Sequence, residues 1–291
     1  MSWIDLLDQE PLVLFGVTAL FALAVGSFLN VVIYRLPRML ETSWRRECAE
    51  ATGQVVNSPP GETMTLARPG SRCPHCGHPI RALENIPLLS YLVLRGRCSG
   101  CGSPIGVRYP LVEAATAVLS VLVAWRFGPT WAGAAALVLT WGLIALVVID
   151  YDTQLLPDVI TLPLLWLGLL VSLPGWFTDS HSSILGAAFG YASLWTLFHL
   201  FRLLTGKEGM GFGDFKLFAL FGAWLGWPYL PQIILISACT GAVVGVLLVI
   251  TKRHDRQVPI PFGPYLAAAG WISLMWGQEI NRLYLQWSGL A

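Results

Sequence analysis

Long hydrophobic stretches alternate with short polar ones along most of this chain. Apolar runs of about 20 residues are typical of helices that cross a bilayer, whose hydrocarbon core is roughly 30 Å thick. The pattern therefore predicts an all-α polytopic membrane protein with about eight transmembrane helices. The hydrophobic runs cover residues 11–33, 111–125, 131–149, 159–173, 184–201, 215–226, 233–250 and 262–276.

The composition supports this interpretation. Hydrophobic residues make up 55% of the 291 positions and charged residues only 12%, whereas soluble domains carry roughly a quarter charged residues. The formal net charge of +1 gives no argument for a nucleic-acid partner. The expected surroundings are instead membrane lipid.

One long polar segment interrupts the pattern at residues 35–108. It holds 10 of the 18 Lys and Arg, and it follows the first hydrophobic run, whereas a signal peptide carries its positive charge first. Because basic loops stay in the cytoplasm, we expect this segment inside and the N-terminus outside. Alternating spans then place 16 of the 18 Lys and Arg inside, and only Arg126 and Arg282 outside.

This topology predicts three parts of the chain. Residues 1–34 form a first transmembrane segment, residues 35–108 a cytoplasmic segment, and residues 109–291 a seven-helix transmembrane domain.

Four of the six cysteines form two C-x-x-C pairs in the cytoplasmic segment. Cys73 pairs with Cys76 and Cys98 with Cys101, with 21 residues between the pairs. Tetrahedral zinc takes four thiolates, and each C-x-x-C turn offers two. The spacing predicts a zinc-ribbon-like insertion between the first and second transmembrane helices. Two disulfides are the alternative, which a reducing cytoplasmic location disfavours.

Two acidic residues stand at the ends of hydrophobic runs. Asp150 follows one run, and Asp214 precedes another, behind glycines at positions 209, 211 and 213. Ionisable groups beside hydrocarbon are costly and usually functional. Two close carboxylates share one proton, so the ionised member can deprotonate a water while the protonated member polarises a peptide carbonyl. We therefore predict that Asp150 and Asp214 form a catalytic pair at the membrane surface.

The acidic residues also have other interpretations. Asp214 can be a helix N-cap, and Asp152 and Asp158 can cap a helix or be solvated. Intramembrane carboxylates also serve ion movement, so a proton- or cation-coupled transporter is an alternative function, although no inverted repeat is apparent. A zinc-dependent scaffold without chemistry is a third possibility.

The motifs resemble a known family. Gly211-Phe212-Gly213-Asp214 matches the GxGD signature of intramembrane aspartyl proteases, and together with residues 150–158 it is similar to the bacterial prepilin leader peptidases. The resemblance extends to residues 26–37 in the first span and 259–264 before the last, and so covers nearly the whole chain. The paired cysteines match the bifunctional members of that family.

The resemblance implies an activity in two steps. Such enzymes cleave the leader of type IV prepilins and type II secretion pseudopilins at the cytoplasmic face of the bacterial inner membrane. They then methylate the new N-terminal amine with S-adenosylmethionine. The family's catalytic aspartates fall on Asp150 and Asp214. Its cysteine segment is associated with methyl transfer. Gly96, just before the second cysteine pair, corresponds to a glycine that the family associates with binding of the methyl donor.

Overall fold

The computed structural model describes residues 10–53, 64–207, 210–251 and 261–288. Gly209 and residues 259–260, which the sequence motifs include, lie outside these ranges. Within the ranges the chain is mainly helical, and residues 64–107 consist largely of turns and loops with one short α-helix, a 3₁₀ turn and two isolated β-bridges. The helices are α1 (Pro11–Ala51), α2 (Leu89–Val93), α3 (Arg108–Phe127), α4 (Trp131–Thr153), α5 (Asp158–Val171), α6 (Ser180–Thr205), α7 (Phe212–Leu225), α8 (Leu230–Ile250) and α9 (Gly263–Ser288).

The long helices coincide with the hydrophobic runs. Apart from the short α2, the described ranges contain eight helices of 14 residues or more, one at each predicted run. Five segments, in or around α1, α3, α4, α6 and α8, are long and apolar enough to cross a bilayer by length and composition. The chain is therefore an all-α, multi-pass membrane protein, as the pattern predicted.

Helix α1 is much longer than the hydrophobic run that predicted it. Its 41 residues span roughly 60 Å at the α-helical rise, about twice the thickness of the hydrocarbon core. Residues 38–51 contain neither Gly nor Pro, so nothing in their backbone chemistry ends the helix. The first part of the predicted polar segment is thus a helical extension of the first span.

By internal packing the chain divides into two compact units, Met1–Pro129 and Thr130–Ala291. In the first unit, α1 packs against α3 at a close approach of their backbones. A Cβ built on Gly26 of α1 would lie 2.9 Å from the Cα of Glu113 in α3, so only glycine allows this contact. One turn further, the side-chain amide of Asn30 donates to the carbonyl oxygen of Tyr109 at 3.1 Å.

The second unit is built around α7, which is buried on all sides from Leu217 to Leu225. A helix that is apolar all round belongs in the middle of its neighbours. Helix α6 lies against it through glycines at positions 186 and 190, where a Cβ would meet the backbone of Gly222 and Ala219. Small residues at this spacing let helix backbones approach closely in membranes.

Helices α5 and α9 complete the packing around α7 and α4. The indole N–H of Trp224 in α7 donates to the carbonyl oxygen of Leu164 in α5 at 2.8 Å. The indole N–H of Trp271 in α9 donates to the hydroxyl of Thr140 in α4 at 3.0 Å. Helix α9 bends at Trp276, where φ is −135°. The predicted run ends at that residue, but the helix continues beyond the bend to Ser288.

Candidate active site and metal centre

Asp150 lies in the last turn of α4. The helix ends because Gln154 adopts the left-handed conformation at φ 55°, and the Gln154 N–H donates to the Asp150 carbonyl at 2.9 Å. The side chain of Asp150 points inward, since the residue is only 5% exposed. The end of a hydrophobic helix therefore carries a buried carboxylate.

Asp214 lies in the first turn of α7. Gly211 is the N-cap of this helix. The carboxylate of Asp214, three residues later, accepts a hydrogen bond from the Gly211 backbone N–H. This is the reciprocal half of a capping box, so Asp214 is not itself the N-cap. The residue is 7% exposed. An aromatic cluster of Phe198, Phe212 and Phe215, with ring centroids 5.3–5.7 Å apart, packs the start of α7 against α6.

The fold brings the two predicted aspartates together. Asp214 lies within electrostatic range of Asp150, although 63 positions separate them in the sequence. A third element, the start of α9, adjoins them, because a Cβ built on Gly263 would lie 2.5 Å from Oδ2 of Asp150. The site is thus formed where the end of α4 meets the first turns of α7 and α9.

One buried carboxylate oxygen at this site has unused capacity to accept a hydrogen bond. The backbone N–H of Gly263 lies near the Asp150 carboxylate. Among the described residues, none donates a hydrogen bond to the buried Oδ2 of Asp150. Buried polar atoms usually have a partner, and exceptions are frequent where a group acts on a substrate or water. A carboxylate of this kind can serve as a general base.

The other acidic residues near the site have structural positions. Asp158 is the first residue of α5, and both of its carboxylate oxygens accept from the Lys216 ammonium at 2.7 Å. Asp152 is exposed in the last turn of α4. Lys216, two residues after Asp214, had no predicted role, because sequence spacing gives no sign of a partner 58 positions away.

The four predicted cysteines also converge. The Sγ atoms of Cys73, Cys76, Cys98 and Cys101 all lie within 4.8 Å of one another. The Cys73–Cys101 and Cys76–Cys98 pairs are each 3.9 Å apart. Tetrahedral zinc with Zn–S bonds of about 2.3 Å separates its sulfurs by roughly 3.8 Å, whereas a disulfide measures about 2.05 Å. The cysteines are free thiols, and their arrangement fits a tetrahedral metal.

The pKa values of the thiols differ within this four-cysteine cluster. Hydrogen bonds from the backbone N–H groups of Cys76 and His75 lower the pKa of Cys73 to about 6. At Cys76 the His78 backbone acts in the same direction, but burial and the neighbouring thiols prevail and raise the pKa to about 12. A bound divalent cation is what lets all four sulfurs be thiolates together.

The two C-x-x-C turns are near-duplicates in backbone geometry. The N–H of Gly77 donates to the Cys73 carbonyl, and the N–H of Gly102 donates to the Cys98 carbonyl, each at 2.9 Å. The two glycines have φ of 72° and 71°, a conformation that favours glycine. Each turn is closed by an isolated bridge between the flanking residues, Arg72 with Pro79 and Arg97 with Pro104.

A polar network joins the two turns and had no sequence signal. The Ser99 hydroxyl, in the second turn, donates to the Glu84 carboxylate at 2.6 Å and lies 3.2 Å from Nε2 of His78, beside the first. The Ser99 hydroxyl and then the Arg81 N–H lower the pKa of Glu84 to about 2. Glu84 is therefore ionised at neutral pH and links the turns as a charged hydrogen-bond acceptor.

Gly96 lies in the loop just before the second cysteine turn. Its φ is 66°, and a Cβ at this position would lie 2.9 Å from the Tyr91 hydroxyl. The backbone conformation and this contact together account for glycine here. The Tyr91 carbonyl accepts from the Gly96 N–H at 2.8 Å, so the loop turns back onto α2.

Glu113, in α3, is a buried carboxylate outside the two candidate sites. It faces into the first unit, where the backbone N–H of Leu88 donates to it at 2.9 Å and Ser27 hydrogen-bonds it. Leu88 has an unusual φ of 58°. Glu113 thus fixes the start of α2 against the pair formed by α1 and α3.

Comparisons with known proteins agree with this architecture. Residues 20–127 match the family described as Bacterial Peptidase A24 N-terminal domain, and residues 137–246 match the Type IV leader peptidase family. No solved structure matches the chain significantly.

Several relatives are similar along the whole chain, and each is named prepilin leader peptidase/N-methyltransferase. One from Pseudomonas aeruginosa is 55% identical over 289 residues, covering 99% of both chains. One from Aeromonas hydrophila is 54% identical over 285 residues, covering 97% of both. One from Legionella pneumophila is 47% identical over 280 residues, covering 96% of this chain and 97% of the relative. The chain therefore belongs to the type IV leader peptidase family.

Proposed function

We propose that this chain removes the leader peptide from type IV prepilins and type II secretion pseudopilins and then methylates the new N-terminal amine. Relatives that are 50–55% identical carry the name of both activities. The observation that supports the peptidase step most directly is the convergence of Asp150 and Asp214 in one buried site. The transporter alternative has no support from these relatives.

The two carboxylates have the properties that peptide hydrolysis needs. In the proposed mechanism the ionised carboxylate takes a proton from water, and the protonated one donates a hydrogen bond to the scissile carbonyl oxygen. Attack gives a tetrahedral diol, and the proton then passes to the leaving amine as the C–N bond breaks. Because the charges are close, the proton belongs to the pair rather than to either residue.

The location of the chain follows partly from the fold. The apolar helices and the family make it a multi-pass inner-membrane protein. We further propose that the N-terminus is outside and that Asp150 and Asp214 face the cytoplasm. The support is the distribution of charge, since only Arg126 and Arg282 fall outside in this orientation. A pilin would then be cut where its apolar segment leaves the membrane.

For the second step we propose S-adenosylmethionine as methyl donor, zinc as the metal of the four cysteines, and the surroundings of Gly96 as part of the cofactor site. When bound, the donor supplies the methyl group to the freed amine. The thiol geometry supports zinc, and the role of Gly96 rests on the family resemblance. We assign the peptidase role to residues 109–291 and the methyl-transfer role to residues 35–108.

The peptidase assignment is tested with purified protein in vesicles and a prepilin substrate. Asp150→Asn and Asp214→Asn should each abolish leader removal, measured by mass spectrometry, while methylation of an already cleaved pilin continues. Asp152→Asn is the matched control and should cleave normally, because Asp152 is exposed. Normal cleavage by either of the first two variants would remove that aspartate from the mechanism.

The cofactor assignment is tested separately at Gly96. Gly96→Ala puts a methyl group against the Tyr91 hydroxyl at a positive φ, so we expect methyl transfer to fall while leader removal continues. Gly53→Ala, also at positive φ but with no neighbour within 4 Å, is the control. Full methylation by Gly96→Ala would contradict the assignment.

A further inference from the structure

The segment that joins α4 to α5, residues 154–157, and Asp158 at the start of α5 contact both elements that stand beside the two aspartates. We propose that Leu156 and the ion pair between Asp158 and Lys216 form a clamp that sets the separation of Asp150 and Asp214. Each member is a positioning residue, since none of them is one of the reacting carboxylates. This inference rests on the proposed peptidase function.

Leu156 occupies the space between two glycines that neighbour the aspartates. A Cβ built on Gly213, immediately before Asp214, would lie 2.8 Å from Cβ of Leu156. A Cβ built on Gly263, which adjoins Asp150, would lie 3.3 Å from Cδ1 of the same leucine. One half-buried side chain therefore touches the backbones of α7 and α9 at the positions where each passes a carboxylate.

The ion pair holds the same segment to the start of α7 at a second point. Lys216 follows Asp214 by two residues in the first turns of α7, and Asp158 begins α5. The Lys216 ammonium lies 2.7 Å from both carboxylate oxygens of Asp158. Since residues 154–158 begin where α4 ends, the pair ties the start of α7 to the chain that carries Asp150.

Stability alone does not explain this arrangement. Asp158 is 51% exposed and Lys216 29% exposed, and ion pairs so open to solvent contribute little to folding. The reaction rate depends much more strongly on the position of the reacting groups, since a displacement of about 1 Å can lower the rate roughly a hundredfold. The clamp should therefore affect turnover much more than unfolding.

The test uses single and double variants in the prepilin cleavage assay. Asp158→Asn and Lys216→Met should each lower kcat by about 10- to 100-fold with KM within about twofold of wild type. If the two residues act as one unit, the double variant should be no slower than the single ones. Lys216→Arg should restore most of the rate, and Leu156→Ala should lower kcat in the same way.

Two controls make the result specific. Arg45→Met breaks another short, exposed ion pair, that of Arg45 with Glu41 at 2.6 Å in α1, and should cleave normally. Methylation of an already cleaved pilin and the midpoint of thermal unfolding should both be unchanged in every clamp variant. The first shows that the cysteine-containing unit is intact, and the second that the unit holding Asp150 and Asp214 is folded.

Any of four outcomes would overturn the clamp. These are unchanged kcat, a loss confined to KM, single losses that multiply in the double variant, or a parallel loss of methylation. A loss confined to KM would make the pair a leader contact, and a parallel loss of methylation would make it a folding element. Wild-type protein that cleaves no prepilin would instead refute the proposed function, so the two failures are distinguishable.

Discussion

At residue scale, the absence of one methyl group at position 263 keeps Asp150 in place. Gly263 is the first residue of α9, and its hypothetical Cβ falls 2.5 Å from the Asp150 Oδ2 and 3.1 Å from its Cγ. Separations below about 3 Å are repulsive for non-bonded carbon and oxygen atoms, which prefer 3.5–4 Å. Any larger residue at 263 must therefore push the carboxylate away from α9.

We predict that Gly263→Ala lowers the rate of leader removal by at least about tenfold, or roughly 1.4 kcal/mol of transition-state stabilisation. Methylation of a cleaved pilin should persist. The control is Gly241→Ala in α8, where the new Cβ would make only ordinary contacts of 3.5 Å or more with Tyr265. Equal cleavage by both alanine variants would contradict the packing argument. The measurement is kcat/KM with a prepilin peptide.

The sequence indicated some residues of the site and not others, for a physical reason. Asp150, Asp214 and the glycines before Asp214 stand out locally, because a charge or a flexible backbone beside an apolar run is unusual there. Leu156 carries no such signal, since leucine is ordinary in a hydrophobic chain. Glu113 also interrupts an apolar run, but the sequence does not show its contacts, because its two hydrogen-bond partners lie far from it along the chain. Their roles depend on contacts between distant positions, which only the fold supplies.

At the scale of elements, the two cysteine turns form one four-cysteine cluster whose geometry suits a metal ion. Their backbones match in hydrogen bonding, and the Ser99–Glu84 hydrogen bond joins them. A structural metal contributes directly to folding where the surrounding core is small. Among the described residues of α2, none is buried, so the segment has little apolar core to replace the metal.

We predict that replacing Cys73 and Cys76 by Ser releases zinc and lowers methyl transfer, because two of four ligands are lost. Leader removal should continue, since Asp150 and Asp214 belong to the other compact unit. Zinc content is measured by atomic emission and the two activities by mass spectrometry of the pilin. The matched control is Cys48→Ser, an exposed cysteine outside the cluster. Undiminished methylation by a zinc-free variant would separate the metal from that activity.

The elements themselves were predictable to different degrees. Hydropathy located the eight long helices, because apolar length reports directly on the bilayer. It did not predict the extension of α1 to Ala51, because that part of the helix is polar and hydropathy measures surroundings rather than backbone conformation. The short α2 was also missed, since five residues at 89–93 are too few for a periodic signal.

At the scale of the whole molecule, charge is distributed very unevenly. Of 18 Lys and Arg, 10 lie between Arg35 and Arg108. Arg126, in the last turn of α3, is the one Lys or Arg between Arg108 and Arg202. Positive residues in short loops resist translocation. This asymmetry strongly favours the orientation with residues 35–108 in the cytoplasm. The preference does not depend on the exact ends of the helices.

We predict that an epitope inserted between Gly128 and Pro129 is reached by antibody from outside the inner membrane, whereas one inserted after Gly206 is not. Both glycines end helices at exposed or half-buried turns with nothing within 4 Å of a Cβ, so each insertion should be tolerated and serves as the control for the other. Retained leader removal shows that the tagged protein is folded. The expected result places the loop before Asp214 in the cytoplasm. The reverse pattern would put that loop on the outer face and contradict the proposed cytoplasmic location of Asp150 and Asp214.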